Sequence, residues 1–124
     1  MCGPGDRHAE RLRGTRRHGR PGGAGHRSGP GHHRYSGFYG TDLEATLRRL
    51  GTTSLIVTGC TTSVCVESTI RDAFFRDYLP VLLADCTSEP LGRANHEASL
   101  AVIEHNLGWV SDSKSLLAAL TPVP

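Results

Sequence analysis

Cys65 is the residue best placed for covalent chemistry. It lies in the run Leu-Ile-Val-Thr-Gly-Cys-Thr-Thr-Ser-Val-Cys-Val-Glu-Ser-Thr-Ile-Arg, residues 55–71. That run reads as a buried strand, a tight hydroxyl-rich turn and the first turns of a helix, with Cys65 where the helix begins. Backbone N–H groups at a helix start point outward, and the macrodipole adds partial positive charge there. Such surroundings favour a thiolate, the form in which a cysteine attacks an electrophile. Cys65 is therefore a candidate nucleophile. A free cysteine is also a common small core residue, and spacing alone is compatible with either role.

Cys65 and Arg71 also match the Cys-x5-Arg spacing of tyrosine-phosphatase loops, in which a thiolate attacks phosphorus while an arginine holds the phosphate. Here the intervening residues include no glycine, and Glu67 would repel a phosphate. They also keep helical phase, so Arg71 is expected along the helix, paired with Glu67 at i, i+4 for about 0.3–0.5 kcal/mol. His96 and His105 read as solvated or partly packed helix residues rather than ligands. Cys2, Cys60, Cys65 and Cys86 show neither a CxxC spacing nor histidines at zinc-finger intervals, so neither a metal site nor a disulfide framework is expected. Cys60 and Cys86 fall within or beside apolar strands and are expected to react more slowly than Cys65.

The elements that hold Cys65 follow from periodicity and turn chemistry. Thr41 is an expected N-cap, Glu44 completes a capping box, and Leu43, Leu47 and Leu50 share one helix face. Gly51 is the expected C-terminal cap. Residues 53–58 suit a fully buried parallel strand. After Cys65, the residues Val66, Ile70, Ala73 and Phe74 lie on one side of a helix that ends near Asp77 and Tyr78. Residues 81–84 form a second buried strand, with Pro80 tolerated at its start and Asp85 at its carboxyl end. A helix spans Arg93 to Asn106, closed by Gly108. Trp109 to Ser111 is a third strand, and residues 112–120 a last helix. Alternating helices and strands predict an α/β fold with a parallel sheet. Ligands bind such sheets outside the carboxyl ends of the strands, where Cys65 sits. The glycine-punctuated turn at residues 34–41 carries Tyr35, Phe38 and Tyr39, rings expected to pin it to the core.

Only part of the 124 residues has material for a core. Hydrophobic residues make up 37% of the chain, and the shortfall is concentrated at the start. Residues 1–34 contain eight of the 14 Lys+Arg, all arginine, against Asp6 and Glu10, a formal +6; the remainder carries −4. Residues 1–33 form a Gly/Arg/His-rich arm that cannot bury enough apolar surface to offset its ordering entropy, and disorder is expected. The arm has no aromatics for base stacking and no lysine, so no nucleic-acid partner is expected. Its histidines are irregularly spaced for a metal. The abrupt change of composition near His33 favours an arm that is not native to the domain following it, as a start-site error, a truncation or a shifted frame would produce. The chain shows neither the apolar run of a signal peptide nor a membrane-spanning stretch, and a cytoplasmic, reduced location is expected.

Three segments carry a family resemblance. Gly59-Cys60-Thr61-Thr62-Ser63-Val64-Cys65-Val66-Glu67-Ser68-Thr69 resembles the nucleophile segment of the isochorismatase-like cysteine hydrolases. Arg34-Tyr35-Ser36-Gly37-Phe38-Tyr39-Gly40-Thr41-Asp42-Leu43 resembles the segment after that family's catalytic lysine, and Gly108-Trp109-Val110-Ser111-Asp112 is similar to the C-terminal part of the ureidoacrylate amidohydrolases. The resemblance covers residues 34 to about 120 and implies a three-layer αβα, Rossmann-like fold, here reduced to about three strands and four helices. It makes residues 34–124 a partial hydrolase domain whose N-terminal part is missing or replaced. It implies hydrolysis of a C–N bond in a small amide or ureido compound through a Cys65 acyl-enzyme, without a cofactor. It further implies an oxyanion hole from the backbone N–H groups of Thr61 and Cys65, a cis peptide between Cys60 and Thr61, and Tyr35 beside the substrate pocket. The family's aspartate has no counterpart: Asp6 lacks the surrounding apolar strand. The position of its lysine falls on His32, and the single lysine of the chain is Lys114. Impaired turnover is therefore expected. The alternative is a catalytically silent fragment acting as a subunit-interaction module, and self-association into a homo-oligomer stays open.

Overall fold

Alternating strand and helix signals resolve into one parallel sheet. The computed structural model describes residues 34–122; the disorder expected of residues 1–33 lies outside the described residues. The elements are α1 (Leu43–Arg49), β1 (Ser54–Cys60), a π-helical turn (Thr62–Val66) continuing into α2 (Glu67–Phe74), β2 (Leu79–Ser88), α3 (Arg93–Asn106), β3 (Trp109–Ser111) and α4 (Ser113–Leu120). The strand order is β1-β2-β3, all parallel. The described residues are thus α/β, with three strands and four helices.

Val66, Ile70, Leu82, Ile103 and Leu107 form the main core cluster, with Val57 and Val110 packed against it. Since Val57, Leu82 and Val110 come from the three strands, α2 and α3 cover the same sheet face. Ile70, Leu82 and Ile103 are completely buried. Burial of each such side chain stabilises the fold by about 1.5–3 kcal/mol. A second cluster joins Phe38, Ala73 and Tyr78, backed by Leu43, Leu47 and Leu55. Through it, α1 and the turn at residues 34–40 dock onto α2.

Several local expectations are corrected. β1 is not fully buried: Leu55 and Val57 are half-buried, while Ile56 is 52% exposed. Among the described residues it is an edge strand with one covered face, so burial alternates with the pleat. The capping box does not form. Thr41 Oγ1 accepts the Leu43 N–H at 3.3 Å, whereas Glu44 accepts from Arg48 (2.8 Å) and Arg76 (2.9 Å). Of the three rings at residues 34–40, only Phe38 is buried, stacked on Tyr78 at 5.9 Å; Tyr35 and Tyr39 are exposed. Phe74 is also exposed, because it ends α2 beyond the core cluster. At the end of α1, Gly51 takes φ +67° as expected, and the N–H groups of Gly51 and Thr52 close on the carbonyls of Arg48 and Leu47.

Gly108 decides how α3 returns to the sheet. The N–H groups of Leu107 and Gly108 both bond to the Ile103 carbonyl, and the next residue, Trp109, already pairs with Val81. So short a connection brings Gly108 against Pro80, where an added Cβ would overlap the Pro80 carbonyl oxygen. Gly108→Ala is expected to destabilise the protein by about 1–3 kcal/mol, read as a lowered urea midpoint with an unchanged slope.

Candidate active site

The site begins where β1 stops. Gly59 has φ +130°, and the following Cys60–Thr61 peptide is cis, at the position the resemblance implied. Thr61 stays extended, and its carbonyl accepts the N–H groups of both Val64 and Val66 at 3.1 Å. The bond to Val66 spans five residues, which opens this turn into a π-helix. Cys65 therefore sits within the π-helical turn rather than at the start of an α-helix, and α2 begins at Glu67. The Cys65 residue is half-buried.

Two sets of hydrogen bonds hold this turn. On the α2 side, Thr69 Oγ1 donates to the Cys65 carbonyl (2.8 Å) and accepts the Gly37 N–H (3.0 Å). That pair ties the segment bearing Tyr35, two residues before Gly37, to the turn bearing Cys65. On the other side, the Ser63 N–H donates to Glu89 Oε2 (2.8 Å), and the buried Thr62 Oγ1 lies 3.2 Å from the Ser88 carbonyl oxygen and 2.9 Å from His96 Nδ1. Within the turn itself, the N–H donors engaged in the bonds described above are those of Ser63, Val64 and Val66. Those that the resemblance assigns to the oxyanion, on Thr61 and Cys65, are different amides.

Glu89 reaches Ser63 because the β1–β2 register jumps. Val57 pairs with Leu82, but Gly59 pairs with Thr87 and Cys60 with Ser88. β2 is accordingly longer than residues 81–84, and Asp85 lies inside it rather than at its end. Thr87 Oγ1 lies 3.4 Å from the Leu83 carbonyl and 3.2 Å from that of Ala84, within the irregular stretch. Asp85 instead accepts the Ser113 N–H at 2.9 Å, tying the start of α4 to β2.

Hydrogen bonds from Ser63 hold the Glu89 carboxyl below its usual value of 4.5. A carboxylate with a lowered folded-state pKa stabilises the fold above its unfolded value, and that contribution disappears as pH falls through the folded value. Glu89→Gln is therefore expected to flatten the fall in unfolding midpoint below about pH 4.3. Urea titrations from pH 7 down to 3 check this; an unchanged acid limb would show that the Ser63 bond does not depend on the charge.

Arg71 is paired with Glu67 at 2.8 Å, and Glu67 also accepts from Ser99 Oγ at 2.7 Å. Arg71 runs along the helix, as expected, and is not poised to hold a phosphate over Cys65. The shielding expected of the other thiols is not found: Cys60 and Cys86 are exposed. Desolvation and the neighbouring Asp85 charge push the Cys86 thiol up. A cleft of about 600 Å³, lined in part by Phe74, Phe75, Leu79 and Trp109, opens at the amino ends of β2 and β3, away from Cys65.

His96 and Glu89 were not among the site residues expected from sequence. His96 proves half-buried, in keeping with a partly packed residue. Its position carried a usable signal: it is in the first turn of the helix after β2, and such turns face the same sheet end as the Cys65 turn.

Comparison with known proteins agrees with the fold. The isochorismatase domain profile matches residues 31–115. The ureidoacrylate amidohydrolase RutB of Methylobacterium radiotolerans is 52% identical over 87 residues, which are 70% of this chain and 34% of that protein. Among solved structures, an isochorismatase-like hydrolase from Alkaliphilus metalliredigens superposes with a TM-score of 0.68 at 31% identity, over 72% of this chain and 48% of the other. The nicotinamidase PncA of Bacillus subtilis gives 0.62 at 31% identity, over 64% and 44%. The chain thus spans about a third of the length of the first of these relatives and under half of the two structures.

Proposed function

The chain belongs to the isochorismatase family, and on that footing we propose that it is a cysteine hydrolase acting on a C–N bond of a small amide or ureido compound. The observation that carries this is the placement of Cys65, half-buried in the turn that leads from the carboxyl end of β1 into α2. In the proposed reaction, Cys65 Sγ attacks the carbonyl carbon after giving up its proton. The carbonyl oxygen becomes an oxyanion held by the N–H groups of Thr61 and Cys65. The C–N bond then breaks, and the leaving nitrogen takes up the proton that the thiol released. Water attacks the resulting thioester, releasing the acid and restoring the thiol. Tyr35, on the segment tied to the Cys65 turn through Gly37 and Thr69, lines the pocket for the substrate.

The outer edge of β1 favours a second role, a catalytically silent chain that packs against other subunits. Among the described residues β1 has a partner strand on one side only, and an unpaired strand edge is a natural pairing surface. Ile56 adds an exposed apolar side chain on the sheet face beside that edge. The roles separate in one experiment: hydrolysis of a panel of ureido, carbamoyl and simple amide compounds and an activated ester, with sedimentation of the same preparation. Cys65-dependent turnover of any of them supports the hydrolase. No reaction at Cys65 together with stable self-association supports the silent module.

A further inference from the structure

The contact between Thr62 and His96 has a consequence for hydrogen placement. Thr62 is completely buried, and its hydroxyl has two polar neighbours: the Ser88 carbonyl oxygen at 3.2 Å and His96 Nδ1 at 2.9 Å. The hydroxyl has one hydrogen to give, and a carbonyl oxygen can only accept. Both contacts are hydrogen bonds only if Thr62 donates to Ser88 and His96 Nδ1 donates to Thr62. With the hydrogen on Nε2 instead, Thr62 would donate to Nδ1, leaving its oxygen to face the Ser88 oxygen with no hydrogen between them. A buried polar atom left in that state costs about 1–3 kcal/mol.

Thr62 opens the π-helical turn, next to Thr61 and three residues before Cys65. Glu89 grips the following amide, that of Ser63, from the same side. The turn is therefore set from outside by α3 and by the segment ending β2, while Thr69 sets it from α2.

We propose that His96, as an Nδ1–H donor to Thr62, is a positioning residue that fixes the direction of the Thr61 and Cys65 amides toward a reacting carbonyl oxygen. This rests on the reading of Cys65 as the nucleophile. His96 does not touch the reacting atoms and acts through Thr62. Its effect falls on steps that develop an oxyanion and spares reactions of the Cys65 sulfur that develop none.

The test compares acylation of Cys65 by an activated ester with its alkylation by iodoacetamide, a displacement that forms no oxyanion. His96→Leu removes the donor, whereas His96→Asn keeps an N–H near the Nδ1 position. A displaced turn is expected to slow acylation in His96→Leu by up to about 10²-fold, with alkylation nearly unchanged and acylation largely recovered in His96→Asn. Nitrogen NMR of the unsubstituted protein, which needs no variant to fold, is expected to show the hydrogen of His96 on Nδ1. A hydrogen on Nε2 would overturn the proposal, as would equal slowing of acylation and alkylation or an unaltered acylation rate in His96→Leu. Absence of Cys65 acylation in the unsubstituted chain would overturn the nucleophile reading, and this proposal with it.

Discussion

Cys65→Ala is expected to abolish formation of a covalent acyl-enzyme from an activated ester, seen as loss of the mass increment on the intact protein and of the burst of released alcohol. The effect should be all or none, because the attacking atom itself is removed and its neighbours cannot replace it. Removing the nucleophile of a hydrolase has cost about 10⁶-fold in turnover where it has been measured. The structure makes one control essential. Cys60 is exposed and lies at the carboxyl end of β1, so accessibility alone would favour it over the half-buried Cys65. Peptide mapping of the acylated protein must place the label on Cys65. A label on Cys60 that survives in Cys65→Ala would show that the turn does not select its sulfur. Cys86→Ala should leave the burst intact, since Cys86 lies in β2 beside Asp85.

The second large effect is a gap between ester and ureido substrates. An activated alcohol leaves without help, whereas a nitrogen must be protonated as the C–N bond breaks. General acid–base assistance of that kind contributes about 10²–10⁴-fold. The described groups nearest the turn are already engaged: Glu89 by the Ser63 and Leu91 amides, His96 at Thr62, and Glu67 by Arg71 and Ser99. The chain's single lysine, Lys114, lies in α4. Turnover of a ureido compound is therefore expected to fall below that of an amidohydrolase with a proton donor at the leaving nitrogen by about 10²–10⁴-fold, while acylation by the ester is much less affected. The Methylobacterium radiotolerans relative, assayed alongside, supplies the comparison. Efficient, Cys65-dependent ureido hydrolysis by this chain would mean that a group such as His32 performs the proton transfer.

The sequence by itself determined the family, the α/β alternation and the segment that carries Cys65. The bounds of α3, Arg93–Asn106, and of β3, Trp109–Ser111, were legible because their signals are local: apolar residues one turn apart, and Gly108 between the two elements. Gly51 was legible for the same reason, since a helix end that needs positive φ selects glycine within a few residues. The exposure of Ile56 was not, because a β-branched apolar run looks the same in a central strand and in an edge strand. Nor was the site's support. Thr62 meets Ser88 across 26 positions and His96 across 34, and Ser63 meets Glu89 across 26. Those meetings exist only because two parallel strands end side by side and their register jumps between Val57 and Gly59. Periodicity reports which face of its own element a residue occupies; which distant residue faces it depends on how the elements stack, and that only the tertiary structure decided.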